Sequence, residues 1–580
     1  MSLVDGETSI ISDRSTAAVI FTNVGTGASV TVRGNGSVTN GATTFSGLSG
    51  TQAMTLNIDG GVTAGAITRN STGAAALTIN STGAVNTTGV IDLDTAALVA
   101  ALTINATTGL NTALAADYAA TAVVTVTGAG AVNLTGPTVT AGVVTAQGTT
   151  ALNANILSVV ATDSAGGVQL ISGANTTSFT GGAGNDLVSV GALVYGGTGS
   201  LTGGAGTDTL VIQDAAQLTA ITAAKMTGFE ILRLNDDNDA GVDSFAATRI
   251  TGLTGIEIGA SSAGDGVTVT AMSAAVAGNV TILGTQVVAP TLTLTNSTTP
   301  GQLDVLTINV NDQLSARNTI TVADITAAGV ETINLVATDH LTLSAATGLT
   351  AMTALNVSGA GNVSITTGAL ALGVNTTVNA SALTGTFTFV GTAGTTNPLA
   401  ITGSATGVNA ITGTANGDVI VGGSAADTIT GGVGADTITG GAGADIYVTP
   451  AAASTTTAAG VGIDSIVGFG ANSDVLRFAA ADNVMAAGGA AVAATTVSVT
   501  AGGKATFAAA DDTLTEMLVT LVADIAADEI VFFELGADTY VYGAGATADG
   551  TDDFMVKLTG VTGLTTITES TGTAGDFTIA

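Results

Sequence analysis

The chain of 580 residues has no cysteine, no tryptophan, one histidine and only ten lysine and arginine residues. Without cysteine it can form no disulfide, no thiolate metal site and no cysteine nucleophile. The basic residues are scattered singly among 43 aspartate and glutamate residues, and the formal net charge is −33. Because binding to a phosphate backbone needs clustered cations, the sequence argues against nucleic acid as a partner.

Long apolar runs are also missing. Threonine, serine, asparagine or glycine interrupts every hydrophobic stretch before it reaches the length of about 18 residues that predicts a transmembrane helix. The opening stretch MSLVDGETSIISDRSTAAVIF lacks a basic start followed by an apolar segment, so it does not resemble a cleavable secretory signal. We therefore expect either a cytoplasmic protein or one that is exported without an N-terminal signal.

Small and β-forming residues are abundant instead. Hydrophobic residues make up 46% of the chain, yet aromatic residues make up only 3%, and there are 80 glycines against five prolines. The apolar content argues against disorder, and the small side chains favour closely stacked β-structure over helices around a bulky core.

One repeat indicates how this β-structure is arranged. The sequence AALTIN at Ala75–Asn80 returns at Ala100–Asn105, followed each time by a Thr-Gly turn. A rung of about 25 residues is typical of a β-solenoid. We predict an all-β fold of solenoid or parallel β-roll-like rungs; the alternative is a threonine-rich β-sandwich. One short helix is predicted near the C-terminus, within Asp512–Glu529, where apolar residues recur at helical spacing.

A second echo is a Gly-apolar-Glu turn that leads into an alternating strand. It occurs three times, with its acid at Glu230, Glu257 and Glu331. We expect these glutamates to lie at the solvated start of a rung, with a role as metal ligands as the alternative.

The most regular feature is a unit of nine residues. From Gly422 the chain reads GGSAADTIT-GGVGADTIT-GGAGADIYV, which fits G-G-x-G-x-D-x-U-x, where U is a large apolar residue. Its aspartates are Asp418, Asp427, Asp436 and Asp445. If two units form one coil, every second aspartate stacks on the same side, and a hard dication that takes six to eight oxygens is needed to offset the repulsion.

This block resembles the RTX repeats of proteins exported by type I secretion. The resemblance implies several Ca²⁺ ions, bound by carbonyls at positions 1, 2 and 4 and the carboxylate at position 6. Carried onto this chain, the ligands are Gly413, Asn416, Asp418, Gly422, Gly423, Asp427, Gly431, Gly432, Gly434, Asp436, Gly440, Gly441, Gly443 and Asp445. Where Thr414, Asn416 and Ala425 replace glycines, we expect weaker binding.

Two further copies, GGAGNDLVS and GGAGTDTLV, occur upstream. They add Gly181, Gly182, Gly184, Asp186, Gly203, Gly204, Gly206 and Asp208 to the implied ligands. Because their aspartates are separated by more than two nine-residue units, we expect single calcium staples rather than a roll; the alternative is two glycine-rich turns with solvated acids.

Acidic segments elsewhere are further calcium candidates. The segment GIDSIVGFGANSDVLRF resembles the cap of RTX rolls and adds Asp464 and Asp474 as final ligands. The clusters Asn235–Asp243 and Asp549–Asp553 are candidates by charge density alone, with hydrated loops as the alternative. Neither cluster has the glycine spacing or the closing glutamate of an EF-hand.

The C-terminal residues DFTIA resemble an uncleaved type I secretion signal. This resemblance implies that the roll stays open for export in the cytosol, where calcium is scarce and clustered carboxylates repel. Outside the cell, millimolar calcium binds only the folded form and stabilises it by mass action.

No motif for catalysis is present. A zinc protease helix H-E-x-x-H needs two histidines, and the chain has only His340. No G-x-S-x-G elbow and no G-x-x-x-x-G-K-[ST] phosphate loop occur. We expect His340 to be an ordinary strand or loop residue and the protein to be non-enzymatic.

The composition over the whole chain resembles Gram-negative surface-layer (S-layer) proteins. This resemblance implies a secreted subunit on the cell surface that assembles with itself and is exported by the type I machinery. Some relatives are anchored to lipopolysaccharide by an N-terminal helical module, and this sequence departs from them because it shows no distinct module of that kind. We divide the chain into a solenoid-like region 1–180, a scaffold with isolated RTX turns 181–404, an RTX roll and cap 405–480, and a C-terminal β region 481–580. The alternatives are a calcium-dependent adhesin or matrix filament, and a calcium-dependent hydrolase.

Overall fold

The computed structural model describes most of the chain. The described residues are 9–22, 29–36, 39–48, 54–71, 76–93, 99–114, 118–136, 138–140, 143–146, 150–152, 156–173, 178–190, 199–218, 224–235, 242–295, 303–366, 376–391, 397–449, 462–470, 473–478, 484–485, 497–509, 511–526, 529–544, 553–569 and 576–580. The chain forms two compact units, Met1–Gly259 and Ala260–Ala580. Their boundary falls inside the predicted region 181–404, and the four-region division stays a prediction.

Alternation of apolar and polar residues explains the strands of unit 1, Met1–Gly259. Along the strand Ala76–Thr82 every second side chain is buried, which is the pattern of a strand with one face on a core. Leu77 pairs with Leu102 and Ile79 with Ile104, the same offset as in the repeat of AALTIN. Like side chains therefore stack in rows along the core, and the predicted solenoid rung is confirmed.

Unit 1 has two main stacks of strands, and the pairing within each is parallel. The first contains Ser9–Asp13, Ser29–Arg33, Met54–Asp59, Ala76–Thr82, Val99–Ala106, Tyr118–Gly128, Ile156–Ser164, Ser178–Thr180, Leu201–Thr202 and Met226–Thr227. The second contains Val19–Thr22, Thr39–Asn40, Thr43–Leu48, Thr63–Ala64, Ile67–Ser71, Asn86–Leu93, Leu110–Leu114, Val132–Asn133, Val168–Ile171, Leu187–Ser189, Thr209–Ile212, Ile231–Leu234 and Gly255–Ile258.

Smaller elements complete unit 1. They are an antiparallel hairpin of Thr138–Thr140 and Val143–Ala146, the strand Val242–Ala246, and the 3₁₀ turns Ala215–Leu218 and Ala247–Arg249.

Unit 2, Ala260–Ala580, is built in the same way. One stack contains Val280–Ile282, Val305–Val310, Thr332–Ala337, Ala354–Gly359, Thr377–Leu383, Ala400–Thr402, Val419–Gly423, Thr437–Gly441, Asp464–Val467 and Phe554–Thr559. The other contains Thr319–Val322, His340–Leu343, Val363–Thr366, Phe387–Val390, Asn409–Thr412, Thr428–Thr430, Ile446–Thr449 and Val475–Phe478. A third parallel pair is formed by Gly266–Met272 and Thr291–Leu294.

Antiparallel strands and a helix follow the last coil of unit 2. Two antiparallel hairpins are present. One joins Val497–Val499 with Ala505–Phe507, and the other joins Glu529–Leu535 with Asp538–Gly543. The strand Val484–Met485 pairs parallel with Glu529–Leu535. The strand Asp576–Ile579 pairs antiparallel with Val475–Phe478 and with Ile567–Glu569.

The helices are short. Helix α1 covers Ala274–Ala277, and helix α2 covers Leu514–Asp524, inside the predicted segment. Thr513 and Glu516 form a capping box at the start of α2, which fixes where the helix begins. His340 begins a strand, as predicted. Neither of these helices has the length and apolar character that crossing a membrane requires.

Candidate metal centres

The nine-residue units form four short strands that alternate between the two stacks of unit 2. The U residues Ile420, Ile429, Ile438 and Tyr447 are all buried. Ile420 pairs with Ile438, and Ile429 pairs with Tyr447, so one coil contains two nine-residue units. The predicted stacking of every second nine-residue unit is confirmed. The glycine-rich turns connect these strands and place one aspartate directly before each strand.

The aspartates form two ladders, one at each edge of the coil. In the first, the backbone N–H of Asp418 donates to Oδ1 of Asp436 at 2.7 Å, and that of Asp436 donates to Oδ1 of Asp464 at 3.0 Å. In the second, Asp427 donates to Asp445 at 2.9 Å and Asp445 to Asp474 at 3.1 Å. Each accepting carboxylate thus has one oxygen fixed by the coil before it. The ladders end at the two acids predicted from the cap segment.

The other carboxylate oxygen faces a space that only glycine leaves open. A Cβ placed on Gly431 would lie 2.2 Å from Oδ2 of Asp436. A Cβ placed on Gly422 would lie 2.5 Å from Oδ2 of Asp427 and 2.4 Å from the carbonyl oxygen of Gly440 on the next coil. We call such a space a cradle. Each cradle gathers a carboxylate oxygen, and the second also a carbonyl oxygen, around the first glycine of its turn.

Several of these oxygens have no partner. Among the described residues, no hydrogen bond reaches the buried Oδ2 atoms of Asp208, Asp427, Asp436 and Asp445. A buried polar atom without a partner is costly, and an ionised carboxylate more so. The cradles therefore have the donor chemistry of a cation site.

Positive φ angles explain the remaining glycines of the turns. Gly432 and Gly434 have φ of +116° and +129°, and Gly441 and Gly443 have +110° and +126°. Other residues rarely adopt this conformation, and a Cβ on Gly432 would lie 1.9 Å from the carbonyl oxygen of Thr414 on the coil before. Positions 2 and 4 thus need glycine for backbone shape and for close stacking of coils.

The electrostatics of the ladders oppose a metal-free, ionised state. Burial, more than the neighbouring carboxylates, raises the pKa of Asp186, Asp208 and Asp445 to about 6, of Asp436 to about 7 and of Asp464 to about 8. Each acid therefore holds a proton more readily than in water unless a cation replaces that proton.

At the start of each ladder a neutral residue donates hydrogen bonds to the first aspartate. At Thr414, which stands where the repeat has glycine, the N–H bonds Oδ2 of Asp418 and the hydroxyl bonds Oδ1 at 3.1 Å. On the other edge, Asn409 takes the place of an aspartate and donates from its backbone N–H to Oδ1 of Asp427 at 2.7 Å. The first aspartate of each ladder thus has a neutral donor beside it, and weaker calcium binding at these turns stays a prediction.

The upstream turns are not isolated staples, which corrects the prediction from their spacing. Leu187 pairs with Thr209, so Asp186 and Asp208 lie on consecutive coils of unit 1. The N–H of Asp186 donates to Oδ1 of Asp208 at 2.7 Å, the same bond as in the roll. The coil between Asp186 and Asp208 is longer than two nine-residue units. On its opposite side the strand Leu201–Thr202 pairs with Ser178–Thr180, so the two coils still stack in register.

The three glutamates lie in less solvated positions than predicted. Glu230 is half-buried, and its Oε2 accepts the N–H of Asp208 at 2.9 Å. Glu257 is bound to Arg233 at 2.6 Å, with both side chains largely buried. Glu331 is half-buried, and its Oε2 accepts the N–H of Asp304 at 2.8 Å. Only the position of these acids two residues after a glycine signalled them in the sequence.

The two candidates chosen by charge density fall mostly outside the described residues. Within Asn235–Asp243 the structure describes only residues 235, 242 and 243, and within Asp549–Asp553 only residue 553.

The donor set fits calcium. Within the described part of the chain, no site gathers three or more His, Cys, Asp or Glu side chains, so an ion in these turns must take backbone oxygens as well. Calcium accepts six to eight carboxylate and carbonyl oxygens in flexible geometry. The residues that would hold it in the roll are the first-position glycines and the aspartates of both ladders. When bound, the ion supplies positive charge that neutralises neighbouring carboxylates on successive coils.

Comparison with known proteins agrees with this chemistry. Residues 412–447 match the family model of the RTX calcium-binding nonapeptide repeat, in four copies. No curated protein matches the chain. The chain is therefore a calcium-binding protein with RTX repeats on a β-solenoid, and the predicted Ca²⁺ cofactor is confirmed. Proteins with such repeats are typically secreted and extracellular.

Proposed function

We propose that the chain is a structural subunit that assembles with calcium into a two-dimensional surface layer on a bacterial cell, after export by type I secretion. The observation that carries the proposal is the pair of buried aspartate ladders in unit 2. They bind a dication only when the coil is closed, so calcium outside the cell favours the folded, assembly-competent form.

Charge supports a role for calcium between copies as well as within them. A net charge of −33 makes identical subunits repel one another at low ionic strength. A divalent cation lowers that repulsion more effectively than a monovalent one. Assembly into a dense sheet is therefore expected to require millimolar calcium.

The outer face of the roll supports contact with a second copy. Val421, Thr439 and Val467 stand in register on three successive coils of one stack. Val421 is 38% and Val467 36% exposed. The strip is uncharged and β-branched, in a chain with a large net charge, and it repeats along the coil axis. Two copies can pack such strips together without bringing carboxylates into contact.

We also propose that the chain is not an enzyme. Its single histidine, His340, is tied into the sheet, because its Nδ1 accepts the N–H of Asn362 at 2.8 Å. That bond occupies the lone pair of Nδ1. Activity of a serine or zinc hydrolase would have to depend on this one side chain.

The test is negative-stain electron microscopy of the full chain in millimolar calcium and in chelator. Ordered sheets that appear only with calcium support the surface layer. Fibres would show a matrix filament instead, and calcium-folded particles that never assemble would show an adhesin. Either result would overturn the proposal without affecting calcium binding.

A matched pair of variants tests the valine strip. Val421→Lys places a charge on the outer face of the roll, whereas Val519→Lys places one on helix α2, away from the calcium turns, where the native side chain is 64% exposed. We expect Val421→Lys to abolish sheets while calcium-dependent folding persists, and Val519→Lys to assemble like the parent chain.

A further inference from the structure

The acid ladder of unit 1 continues for one coil beyond the two glycine-rich turns that carry the nine-residue pattern. Thr209 pairs with Ile231, so Glu230 stands in register with Asp208 on the next coil. The N–H of Asp208 donates to Oε2 of Glu230 at 2.9 Å, as that of Asp186 donates to Asp208 at 2.7 Å. Glu230 therefore occupies the ladder position of an aspartate.

The turn that presents Glu230 is shorter than the repeat. Asp208 follows Gly203 by five positions, whereas Glu230 follows Gly228 by only two, in the sequence Gly-Phe-Glu. Gly228 has a φ of +66°, which lets the chain turn sharply before the strand. The side chain of glutamate is one methylene longer than that of aspartate.

A cradle lies between these two turns. A Cβ placed on Gly203 would lie 1.9 Å from the carbonyl oxygen of Gly228 and 2.6 Å from Oδ2 of Asp208. In the roll, a Cβ placed on Gly413 would lie 2.0 Å from the carbonyl oxygen of Gly431 and 2.6 Å from Oδ2 of Asp418. The two sets of distances agree, so Gly228 takes the place of a first-position glycine although no nine-residue unit surrounds it.

An unpartnered buried oxygen points to a ligand here. Asp208 is 0% exposed, and its Oδ2 has no hydrogen bond within the described residues. No ion pair among those residues involves Asp208 or Glu230, although the two carboxylates are close enough to interact. The cradle itself gathers Oδ2 of Asp208 and the carbonyl oxygen of Gly228. The carboxylate of Glu230 stands on the adjoining coil, where its Oε2 accepts the N–H of Asp208. This set of oxygens suits a hard cation that accepts ligands in flexible geometry, which favours Ca²⁺ over Mg²⁺.

We propose that a calcium ion binds between the turns at Gly203 and Gly228, held by the carboxylates of Asp208 and Glu230 and by the carbonyl oxygen of Gly228. The site uses a glutamate in a shortened turn and lies outside the residues that match the nonapeptide family. It does not depend on assembly into a surface layer.

The experiment compares the full parent chain with Glu230→Gln. Glutamine keeps the shape and an oxygen that can accept the N–H of Asp208, so the coil retains its hydrogen bond. Glu331→Gln is the matched control, because Glu331 also follows a glycine by two positions and its Oε2 also accepts a backbone N–H, that of Asp304 at 2.8 Å, outside any nine-residue pattern. Bound calcium per chain is measured by equilibrium dialysis, and amide exchange is measured by mass spectrometry with and without calcium.

We expect Glu230→Gln to bind one ion fewer per chain than the parent and than Glu331→Gln. Calcium should slow amide exchange in peptides covering 203–212 and 226–234 of the parent and of the control, but not of Glu230→Gln. Protection at 412–447 should be the same in all three chains, and serves as the internal standard for folding and for calcium binding by the roll.

Two results would overturn the site. One is an unchanged ion count and unchanged calcium protection in Glu230→Gln. The other is a parent chain in which calcium slows exchange at 412–447 but not at 203–234. If Glu230→Gln lacks the parent's exchange pattern in chelator, the variant has misfolded, and Glu230→Asp then decides. The shorter acid keeps the charge, so a site should survive in it with weaker affinity, whereas an unchanged affinity would refute coordination by Glu230.

Discussion

Replacing Asp436 by asparagine should change the stability of unit 2 in opposite directions with and without calcium. Asp436 is 1% exposed, its Oδ1 accepts the N–H of Asp418, and its Oδ2 faces the cradle of Gly431 without a partner. Asparagine keeps an oxygen for the N–H of Asp418 but removes the charge. It therefore relieves an unfavourable burial in the metal-free protein and removes a ligand in the calcium-bound one.

The size of the effect in chelator follows from protonation. Burial raises the pKa of Asp436 from its ordinary 3.8 to about 7. At about 1.4 kcal/mol per tenfold change in the acid equilibrium, ionising this group in the folded state at pH 8 costs at most about 4 kcal/mol relative to the unfolded chain. Asp436→Asn should recover up to that amount, so the metal-free variant is the more stable one.

The size of the effect in calcium follows from mass action. A site that is lost on substitution contributes about 2.7 kcal/mol when free calcium is a hundredfold above its Kd. The variant should forfeit roughly this much. It should then be less stable than the parent chain.

Urea denaturation followed by circular dichroism at pH 8 tests both signs. The order of the two denaturation midpoints should reverse between chelator and millimolar calcium. Asp538→Asn is the control, since Asp538 accepts the N–H of Gly560 at 2.8 Å in an exposed turn without a cradle, and its effect should not depend on calcium. A variant that is less stable than the parent under both conditions would refute the assignment of Asp436 as a buried metal ligand.

Three further outcomes are expected. Gly432 has a φ of +116°, and a Cβ there would lie 1.9 Å from a carbonyl oxygen, so Gly432→Ala should destabilise unit 2 by at least about 2 kcal/mol in thermal melts. Gly468 has a φ of +75° in open space, so Gly468→Ala should cost only about 1 kcal/mol, and equal costs would exclude close stacking as the cause. Burial raises the pKa of Asp436 to about 7 and that of Asp464 to about 8, so the metal-free folded form binds more protons than the unfolded chain between about pH 4 and 8. The free energy of unfolding measured in chelator should therefore fall as pH rises through that window. A rise would contradict the pKa assignments. Arg477 forms a bidentate ion pair with Asp576, with N–O distances of 2.6 and 2.8 Å. Arg477→Gln should lower the free energy of unfolding by about 1 kcal/mol and speed amide exchange at 576–580. Unchanged exchange would mean that the antiparallel pairing alone holds this strand.

Regular features of the sequence were sufficient to predict the roll. Each nine-residue repeat has one large apolar residue and contributes one strand, so two repeats make one coil. The structure accordingly pairs Ile420 with Ile438, two repeats further along the chain. The same reasoning applied to the AALTIN echo predicts the longer rung of unit 1, where Leu77 pairs with Leu102. Identical segments in parallel register bring identical side chains together, so a repeat in sequence becomes a row in space.

The stacking of coils of unequal length could not be predicted from the spacing of residues in the sequence. Asp186 and Asp208 stack although more than two nine-residue units separate them, because the extra residues leave the paired strands in register. Asn409 and Glu230 enter the ladders as single substitutions without a surrounding motif. The pairing of Arg477 with Asp576 joins residues 99 positions apart, and neither has a local signal.

The dependence of this fold on calcium is local, because other coils are joined by groups that need no metal. In unit 1 the side chains of Asn57, Asn80 and Asn105 hydrogen-bond one another at 2.8 Å, and Thr127 donates to Asn105 at 2.7 Å. Amides are both donors and acceptors, so a row of them satisfies itself. A row of ionised carboxylates has only acceptors and repels. Chelation should therefore loosen the acid ladders while coils joined by amides stay closed, so part of the folded structure is expected to persist at every calcium concentration.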